Sequence, residues 1–500
     1  MNPTTTQPHV VIVGGGIAGL AAALFLRDQP VRVTVLEGSP RLGGKLSVSE
    51  VGGVAVDEGA EALLITRPEG TGLIAEMGLA GERVAPGTTS SAIWTLGALR
   101  PLPRRQFMGV PSDLDELART GVVSDAGVAR AARDLELPPT ARDGDVPVAQ
   151  YVGARLGAEV VDRLVDPLLG GVYAGRSAEL SFDATMPALS AASRRHRSLA
   201  EAVGSLLPPP APAPAGDQDP VPAGTRSGGS VFTTLAGGLG LLPAYLAKAC
   251  GAEVRTGSMA RVLSPAAAPG AGPGWRLTVG SAAAEEQIDA DAVILALPAR
   301  PAGRLLAQVP GVSAAVTALA EISYASMAIV TLAYPRAAFP GAGLTALGLS
   351  GYLVPAVDGR AVKAVTFSTV KWPHLAVATA GGAEPLEIIR CSVGRIGEEA
   401  LLQRADEDLA ALAAAELAAA TGVRGAPVAH RITRWGGGLP QYTVGHLDRV
   451  AKIRAALATQ PGLAVCGAAY DGIGIPACIA TARAAAGQVL DALTAGRGRQ

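Results

Sequence analysis

The sequence predicts an α/β protein in which segments far apart along the chain share one parallel sheet. A buried strand, a glycine-rich turn and a helix follow one another within residues 10–28. A second strand, glycine loop and helix occupy residues 461–493, near the opposite end of the chain. Between these segments, helical and strand-like stretches of different character indicate a further α+β domain.

Composition excludes several classes of function. The 500 residues are 49% hydrophobic and carry 42 Lys+Arg against 43 Asp+Glu, a net charge of −1. This balance argues against disorder and gives no bulk attraction to nucleic acid or to anionic membranes. No CxxC pair is present, so we expect no metal site. We expect Cys250, Cys391, Cys466 and Cys478 to be buried free thiols, as in a cytoplasmic protein.

The N-terminal motif has the spacing of a dinucleotide-binding turn. Val10–Val13 is apolar and β-branched, as in a strand buried on both faces, and a helical stretch follows the turn. Gly14 permits the tight turn, Gly16 lets the backbone approach a pyrophosphate, and Gly19 lets the helix pack against the strand. A glycine-rich turn without a ligand is the alternative.

A spanning helix is a second alternative for the apolar run at residues 10–26. That run is only about 17 residues long, which is the lower limit for a span. It is also interrupted by three glycines and preceded by no Lys or Arg. We therefore expect no transmembrane segment.

The next strand and loop identify the dinucleotide. Glu37 ends the second strand, 18 residues after Gly19, where a carboxylate binds ribose hydroxyls and a 2′-phosphate is disfavoured. Arg41, Gly43 and Gly44 follow as R-x-G-G. Together these segments resemble the amine-oxidase-type flavoproteins, in which this loop continues along the diphosphate. An NAD dehydrogenase has no need of the second glycine loop, so FAD is the predicted cofactor.

The resemblance implies a discontinuous Rossmann-like FAD-binding domain and an α+β substrate-binding domain, the amine-oxidase/p-hydroxybenzoate-hydroxylase-like fold. A Pro/Ala/Gly-rich stretch without periodicity interrupts the chain and predicts a flexible linker. The predicted boundaries are 1–90, 231–300 and 431–500 for the FAD-binding domain, 91–205 and 301–430 for the substrate-binding domain with its helical part, and 206–230 for the linker.

Four further motifs, in the expected order, resemble the oxygen-dependent porphyrinogen oxidases of the same superfamily. They are DPLLGGVYAGRSAELS at 166–181, GYLVP to KWP at 351–373, LPQYTVGH at 439–446 and GAAYDGIGIP at 467–476. The closing Gly-Ile-Gly-Ile-Pro looks most like the branch of Gram-positive bacteria, including actinobacteria, that oxidises coproporphyrinogen III.

This resemblance implies oxidation of coproporphyrinogen III to coproporphyrin III in haem biosynthesis, with non-covalent FAD, O2 as acceptor and H2O2 as product. Ferrochelatase is the implied transient partner. The hydride passes to flavin N5, so no catalytic side chain or metal is assigned. The alternatives are a protoporphyrinogen IX oxidase, an amine oxidase or carotenoid desaturase on the same scaffold, and a non-catalytic porphyrin carrier.

By the same resemblance, twenty residues are expected to contact the cofactor. Met259 replaces the family's usual valine, and a methionine backbone can serve equally well; Trp435 could instead be ordinary core. The expected contacts are Gly14, Gly15, Gly16, Ile17, Ala18, Gly19, Glu37, Arg41, Gly43, Gly44, Lys45, Gly59, Ala60, Glu61, Ala62, Met259, Trp435, Ile473, Gly474 and Ile475.

The propionate groups of a porphyrinogen require local cations. Arg67 and Arg176 are the candidates for these contacts, and a solvated surface position is the alternative for each. Tyr173 and Gly175 would bound the pocket by shape. Lys371 and Arg104 are weaker candidates, and His446 is expected to be structural.

Overall fold

A five-stranded parallel sheet, here the dinucleotide sheet, joins the beginning, middle and end of the chain. The computed structural model describes residues 7–140, 142–209, 230–266, 274–341, 343–381 and 384–497, so most of the predicted linker lies outside the described residues. All neighbouring strands of the sheet are parallel. Their spatial order is Glu253–Arg255, Arg32–Leu36, His9–Val13, Ala292–Leu295 and Leu463–Val465.

The dinucleotide sheet is buried on both faces, which explains its runs of β-branched residues. Val10 and Ile12 pack on one side with the helices Ile17–Leu26 and Ile475–Arg497. Their neighbours Val11 and Val13 point to the other side because strand side chains alternate. That side is covered by the helices Ala299–Leu306, Ser313–Ala320 and His446–Leu457.

A seven-stranded mixed sheet, here the large sheet, forms the second layer. Its strands run in the order Ala429–Pro440, Tyr324–Pro335, Leu386–Val393, Val362–Phe367, Gly351–Leu353, Ala92–Thr95 and Ala98–Pro101. The helix Asp406–Thr421 covers one face through Leu409, Ala413 and Leu417. On the opposite face, Ala333 and Ile388 pack against Val51, Val54 and Val56 of a small hairpin.

The sequence predicts helical periodicity over residues 91–200, and this prediction is wrong at the start of the stretch. Two strands of the large sheet, Ala92–Thr95 and Ala98–Pro101, lie there. Ala92–Thr95 pairs in parallel with Gly351–Leu353, some 260 residues later in the chain, with Ala92 opposite Tyr352. Such non-local pairing overrides local periodicity, since a four-residue segment contains little helical or strand signal of its own.

The helical part of the chain packs around its own apolar core, which includes Leu117, Val152, Leu164 and Leu189. A π-helical turn, Val161–Val165, joins the segments around Ala158–Val160 and Asp166–Tyr173. The other helices of this part are Leu114–Thr120, Asp125–Ala132, Val148–Leu156, Phe182–Thr185, Pro187–Ser193 and Leu199–Leu206.

Smaller elements connect these layers. The remaining helices are Pro68–Glu76, Leu242–Ala249, Ser368–Lys371 and Pro373–Ala380. The remaining strands form an antiparallel sheet of Ala260–Pro265, Trp275–Ser281 and Ala284–Ala290, a second sheet of Leu63–Leu64, Phe232–Leu235 and Arg83–Val84, and the hairpins Val48–Val51 with Val54–Asp57 and Gln106–Phe107 with Val110–Pro111. Within the described ranges, no helix is long and apolar enough to cross a bilayer.

The carboxyl ends of the parallel strands meet at one edge of the dinucleotide sheet. Gly14, Glu37 and Gly467 directly follow, or lie two residues beyond, the strands at 9–13, 32–36 and 463–465. Open α/β sheets bind ligands at this edge. The fold therefore gathers the glycine motifs of the two chain ends at one place.

Candidate active site

The N-terminal turn requires glycine at two positions because backbone comes too close for a side chain. Gly14 has φ +112°, and a β-carbon there would stand 2.4 Å from the carbonyl oxygen of Ala296. A β-carbon on Gly19 would stand 1.9 Å from the carbonyl oxygen of Gly14. The helix Ile17–Leu26 therefore starts tightly against its strand, in the geometry that the sequence predicts.

The start of this helix is suited to an anion. Its first turn holds no acidic residue, and no described side chain caps it. The first intrahelical backbone bond runs from Leu20 N–H to Gly16, so the N–H groups of Ala18 and Gly19 have no intrahelical partner and could bind a diphosphate. The cradle therefore fits the predicted FAD.

Glu37 is held in a fixed orientation at the end of the second strand. Its carboxylate accepts a hydrogen bond from Gly15 N–H at 2.7 Å and another from Ser39 N–H at 2.8 Å. Each oxygen keeps a further lone pair that a ribose hydroxyl could use. The half-exposed Met259 packs beside this strand end, with its Sδ 3.0 Å from the β-carbon position of Gly38.

The R-x-G-G loop lies directly on the glycine turn. Gly43 N–H donates to the carbonyl of Gly15 at 2.9 Å. Arg41 donates to the carbonyl of Gly44 at 2.8 Å, and its guanidinium lies 5.7 Å from the centre of the Trp435 ring. Arg41 therefore orders this loop through its carbonyl groups and stacks on the half-buried Trp435.

A second close approach fixes the segment from Gly59 to Ala62. A β-carbon on Gly59 would stand 1.8 Å from the carbonyl oxygen of Lys45. Trp435 Nε1–H donates to the carbonyl of Glu58 at 2.8 Å. Burial lowers the pKa of Lys45. These contacts bring three separated cofactor candidates, Lys45, Gly59 and Trp435, into one region.

A buried ion triad anchors the same segment to the large sheet. Glu61 pairs with Lys371 Nζ at 2.6 Å and with the guanidinium of Arg390, which also donates to the carbonyl of Gly59 at 2.6 Å. Burial by itself would raise the pKa of Glu61, but the two cations outweigh it and hold the pKa at about 2. Glu61 is therefore ionised and held between two cations.

Sequence reasoning named Glu61 and Lys371 for separate roles, on the cofactor and on the substrate, and it missed Arg390. A signal was present: Arg390 is the only cation in the strand LEIIRCSV and lies between the apolar residues Ile389 and Cys391, at a position that the fold buries. A buried charge in a central strand needs a partner.

The final glycine loop meets the N-terminal turn. A β-carbon on Gly467 would lie 3.8 Å from the β-carbon of Ala18. The loop continues through Gly472, whose φ is +137°, to Ile473 and Gly474 at the start of the helix Ile475–Arg497. Arg67 Nη1 lies 3.8 Å from the β-carbon position of Gly472. The two glycine loops thus meet at Gly467 and Ala18, and Arg67 lies beside the second loop at Gly472.

Tyr173 and Gly175 lie at the end of the helix Asp166–Tyr173. Burial raises the pKa of Tyr173 to about 12, so its phenol is neutral. Arg176 follows with its side chain 46% exposed and 3.8 Å from Glu398, whereas Arg67 is 43% exposed and 3.4 Å from Glu69. Both arginines are accessible and only loosely paired.

Arg104 and His446 differ from these arginines. Arg104 lies on an exposed stretch, where its backbone N–H donates to Glu116. His446 is buried and donates from Nε2 to the carbonyl of Tyr470 at 2.9 Å. Burial lowers the pKa of His446 to about 4, so its imidazole is neutral and structural.

The described residues contain neither a disulfide nor a group of side chains suited to a metal ion. All four cysteines are buried and free of disulfides. In the part of the chain that the structure describes, no three His, Cys, Asp or Glu side chains are grouped so that they could hold a metal ion.

Comparison with known proteins agrees with this geometry. A family model described as "Flavin containing amine oxidoreductase" matches residues 17–490. A Mycobacterium bovis protein named coproporphyrinogen III oxidase is 38% identical over 98% of this chain and 99% of its own length. A protein of the same name from Bacillus subtilis is 31% identical over 98% of both chains.

Solved structures show the same architecture. An Exiguobacterium protein, provisionally named a protoporphyrinogen oxidase, has a TM-score of 0.80 and 29% identity over 98% of this chain and 99% of its own. A cyclohexylamine oxidase from Brevibacterium oxydans has a TM-score of 0.68 at 17% identity over 98% of this chain and 100% of its own, which shows the fold alone.

The fold and the site define a flavin-dependent oxidoreductase. The glycine turn, Glu37 and the returning C-terminal loop are the features of that class. The chain belongs to the flavin-containing amine oxidoreductase family.

Proposed function

We propose that this protein oxidises coproporphyrinogen III to coproporphyrin III, with non-covalently bound FAD and with O2 as the electron acceptor. The observation that carries the proposal is the meeting of the two glycine loops at Gly467 and Ala18, with the accessible Arg67 beside the second loop at Gly472. Arg176 is a second accessible arginine. The names of the relatives at 31–38% identity support the same substrate.

FAD would supply the hydride acceptor for each oxidation step. Each cycle removes two electrons and two protons from the macrocycle and reduces one O2 to H2O2, and three cycles give the aromatic porphyrin. The chain binds and orients the macrocycle: Arg67 and Arg176 pair with propionates, while neutral Tyr173 and Gly175 bound the ring. Glu61, held as an anion, keeps the segment at 59–62 fixed.

The remaining parts of the proposal concern organisation and location. The sequence contains no Ser-Gly-Gly-Cys, the context for covalent flavin attachment, which supports non-covalent binding. We also propose that three segments, 1–90, 231–300 and 431–500, bind FAD. The strand Ala429–Pro440, which crosses the start of the third segment, is also part of the large sheet. A cytoplasmic location and transfer of product to a ferrochelatase complete the proposal.

The test is a side-by-side assay of the FAD-loaded protein with coproporphyrinogen III and protoporphyrinogen IX, followed by porphyrin fluorescence. Faster turnover of coproporphyrinogen III is the expected result. Faster turnover of protoporphyrinogen IX would assign the second candidate function, which the 30%-identical Macaca fascicularis relative of that name favours. A protein that binds no FAD, or one that oxidises neither compound, would exclude the proposal.

Replacing Arg67 by alanine should raise KM for coproporphyrinogen III about tenfold and leave kcat nearly unchanged, because a charge-assisted hydrogen bond to a propionate is lost. Initial rates over a range of substrate concentrations measure both constants. Arg119→Ala, which removes an exposed arginine at the end of the helix Leu114–Thr120, is the matched control. Equal KM values for the two variants would show that Arg67 is a solvated surface arginine that does not bind the substrate.

A further inference from the structure

The segment Leu439–His446, here the LPQYTVGH segment, lies between residues 173–175, here the wall, and the final glycine loop. Its backbone pairs with the chain that follows the wall: Ser181 N–H donates to the carbonyl of Tyr442 at 2.8 Å, and Val444 N–H donates to that of Glu179 at 3.2 Å. The other side of the segment faces the loop at 467–474. Neither composition nor periodicity indicates this placement.

Gln441 holds the wall. Its Nε2 donates to the carbonyl of Tyr173 at 2.8 Å and to that of Leu439 at 3.0 Å. A β-carbon on Gly175 would stand 2.2 Å from Gln441 Oε1, so a side chain at 175 would push the amide out of place. The conformation of the wall and the position of Gln441 are therefore linked.

Tyr442 holds the glycine loop through its hydroxyl group. The hydroxyl donates to the carbonyl of Ala468 at 2.7 Å and accepts from Gly472 N–H at 2.8 Å. These two contacts fix the loop on both sides of Tyr470 and Asp471. Because Gly472 lies beside Arg67, a shift of this loop would also move the backbone next to a candidate substrate cation.

The Tyr442 ring is fixed by its neighbours. It stacks on His446 with ring centroids 3.7 Å apart and an interplanar angle of 13°, and it meets Tyr173 at 5.7 Å and 52°. His446 is itself bonded to the carbonyl of Tyr470. The ring therefore contacts the wall while its hydroxyl contacts the loop, so a single rigid side chain spans both.

We propose that Tyr442 is a positioning residue that couples the wall at 173–175 to the flavin-side loop at 468–472. The substrate part of this proposal rests on the proposed function. The coupling itself is measured as a change in the affinity of the protein for FAD, and this measurement requires no substrate.

The first experiment compares Tyr442→Phe with Tyr334→Phe. Tyr442→Phe keeps the ring but leaves the partly buried Gly472 N–H and Ala468 carbonyl without their partner. This change should weaken FAD binding about tenfold and shift the visible absorption band of the flavin. The Tyr334 hydroxyl is also buried and has no partner among the described residues, so Tyr334→Phe should change neither. Equal FAD dissociation constants in the two variants would overturn the proposal.

The second experiment is a double-mutant cycle on FAD affinity. Gly175→Ala lies in the wall, yet it should weaken FAD binding about threefold or more through Gln441 and Tyr442, and this effect should largely disappear in the Tyr442→Phe background. Additive effects would show that the wall and the loop are independent. If Tyr442→Phe does not fold, unchanged FAD affinity in Gly175→Ala alone would overturn the coupling.

The outcomes also separate this proposal from the proposed function. A non-additive cycle in a protein that oxidises neither porphyrinogen would support the coupling and exclude the function. An additive cycle in an active coproporphyrinogen oxidase would do the reverse.

Discussion

Alanine at position 19 is expected to abolish retention of FAD. Its β-carbon would stand 1.9 Å from the Gly14 carbonyl oxygen, within the turn predicted to face the diphosphate, and 3.2 Å from the β-carbon of Ala296, which follows the neighbouring strand Ala292–Leu295. Because backbone atoms cannot rotate out of the way, the helix Ile17–Leu26 must move away from the strand His9–Val13. The N–H groups at the start of the helix would then no longer point at the diphosphate. Protein purified from cells supplied with riboflavin should be colourless, and titration should show FAD affinity at least about a hundredfold weaker, the loss of several charge-assisted hydrogen bonds.

The control for this variant is Gly487→Ala. Gly487 lies in the helix Ile475–Arg497 with open space at its β-carbon position. Alanine there should leave FAD binding unchanged and stabilise the helix by about 0.5–1 kcal/mol. A yellow Gly19→Ala protein with native affinity would mean that the turn does not hold the diphosphate.

Methionine at position 390 is expected to lower the free energy of unfolding by about 3–5 kcal/mol, because it removes one cation from a buried ion group and leaves Glu61 with only Lys371. Chemical denaturation of the FAD-saturated protein near neutral pH measures the loss. At that pH the full contribution is present: the pKa of Glu61, lowered to about 2 in the folded state, gives stability that is complete above its unfolded value and is lost only as pH falls toward 2.

Two further variants test this explanation. Arg261→Met removes the cation of a surface pair with Glu285 and should cost less than about 1 kcal/mol. Glu61→Gln combined with Arg390→Met should cost less than the sum of the two single variants, since each single variant already removes the ion pair between Glu61 and Arg390. A loss of under about 1 kcal/mol in Arg390→Met would mean that the triad is not held in the folded interior.

The N-terminal strand, the glycine turn, its helix and the second strand were predictable because each depends on contacts between near neighbours. Gly19 is needed because it approaches Gly14, five residues earlier, and Gly14 itself has a φ of +112° that favours glycine. Both requirements appear directly as G-x-G-x-x-G, although Gly14 also meets Ala296, which is distant in sequence. The return of the C-terminal strand was predictable for a related reason, because its run into a glycine has the same local form.

The ion triad and the bridge through Tyr442 were not predictable in this way. Glu61 and Arg390 are 329 residues apart, and Tyr173 and Gln441 are 268 apart. The sequence identified Glu61, Lys371 and Tyr173 as candidates but assigned no partner to any of them. Pairing of a buried charge is decided by which strands become neighbours, and that choice depends on the whole core.

By itself the sequence determined the flavin class of the cofactor and the sheet that gathers the chain ends, since local backbone geometry limits the residue types that each turn accepts. Only the tertiary structure decided which distant side chains form ion pairs and how Ala92–Thr95 joins the large sheet. It also decided that Tyr442 contacts both the wall and the glycine loop. These contacts are long-range, and their energies arise from burial and mutual packing that no short stretch of chain contains.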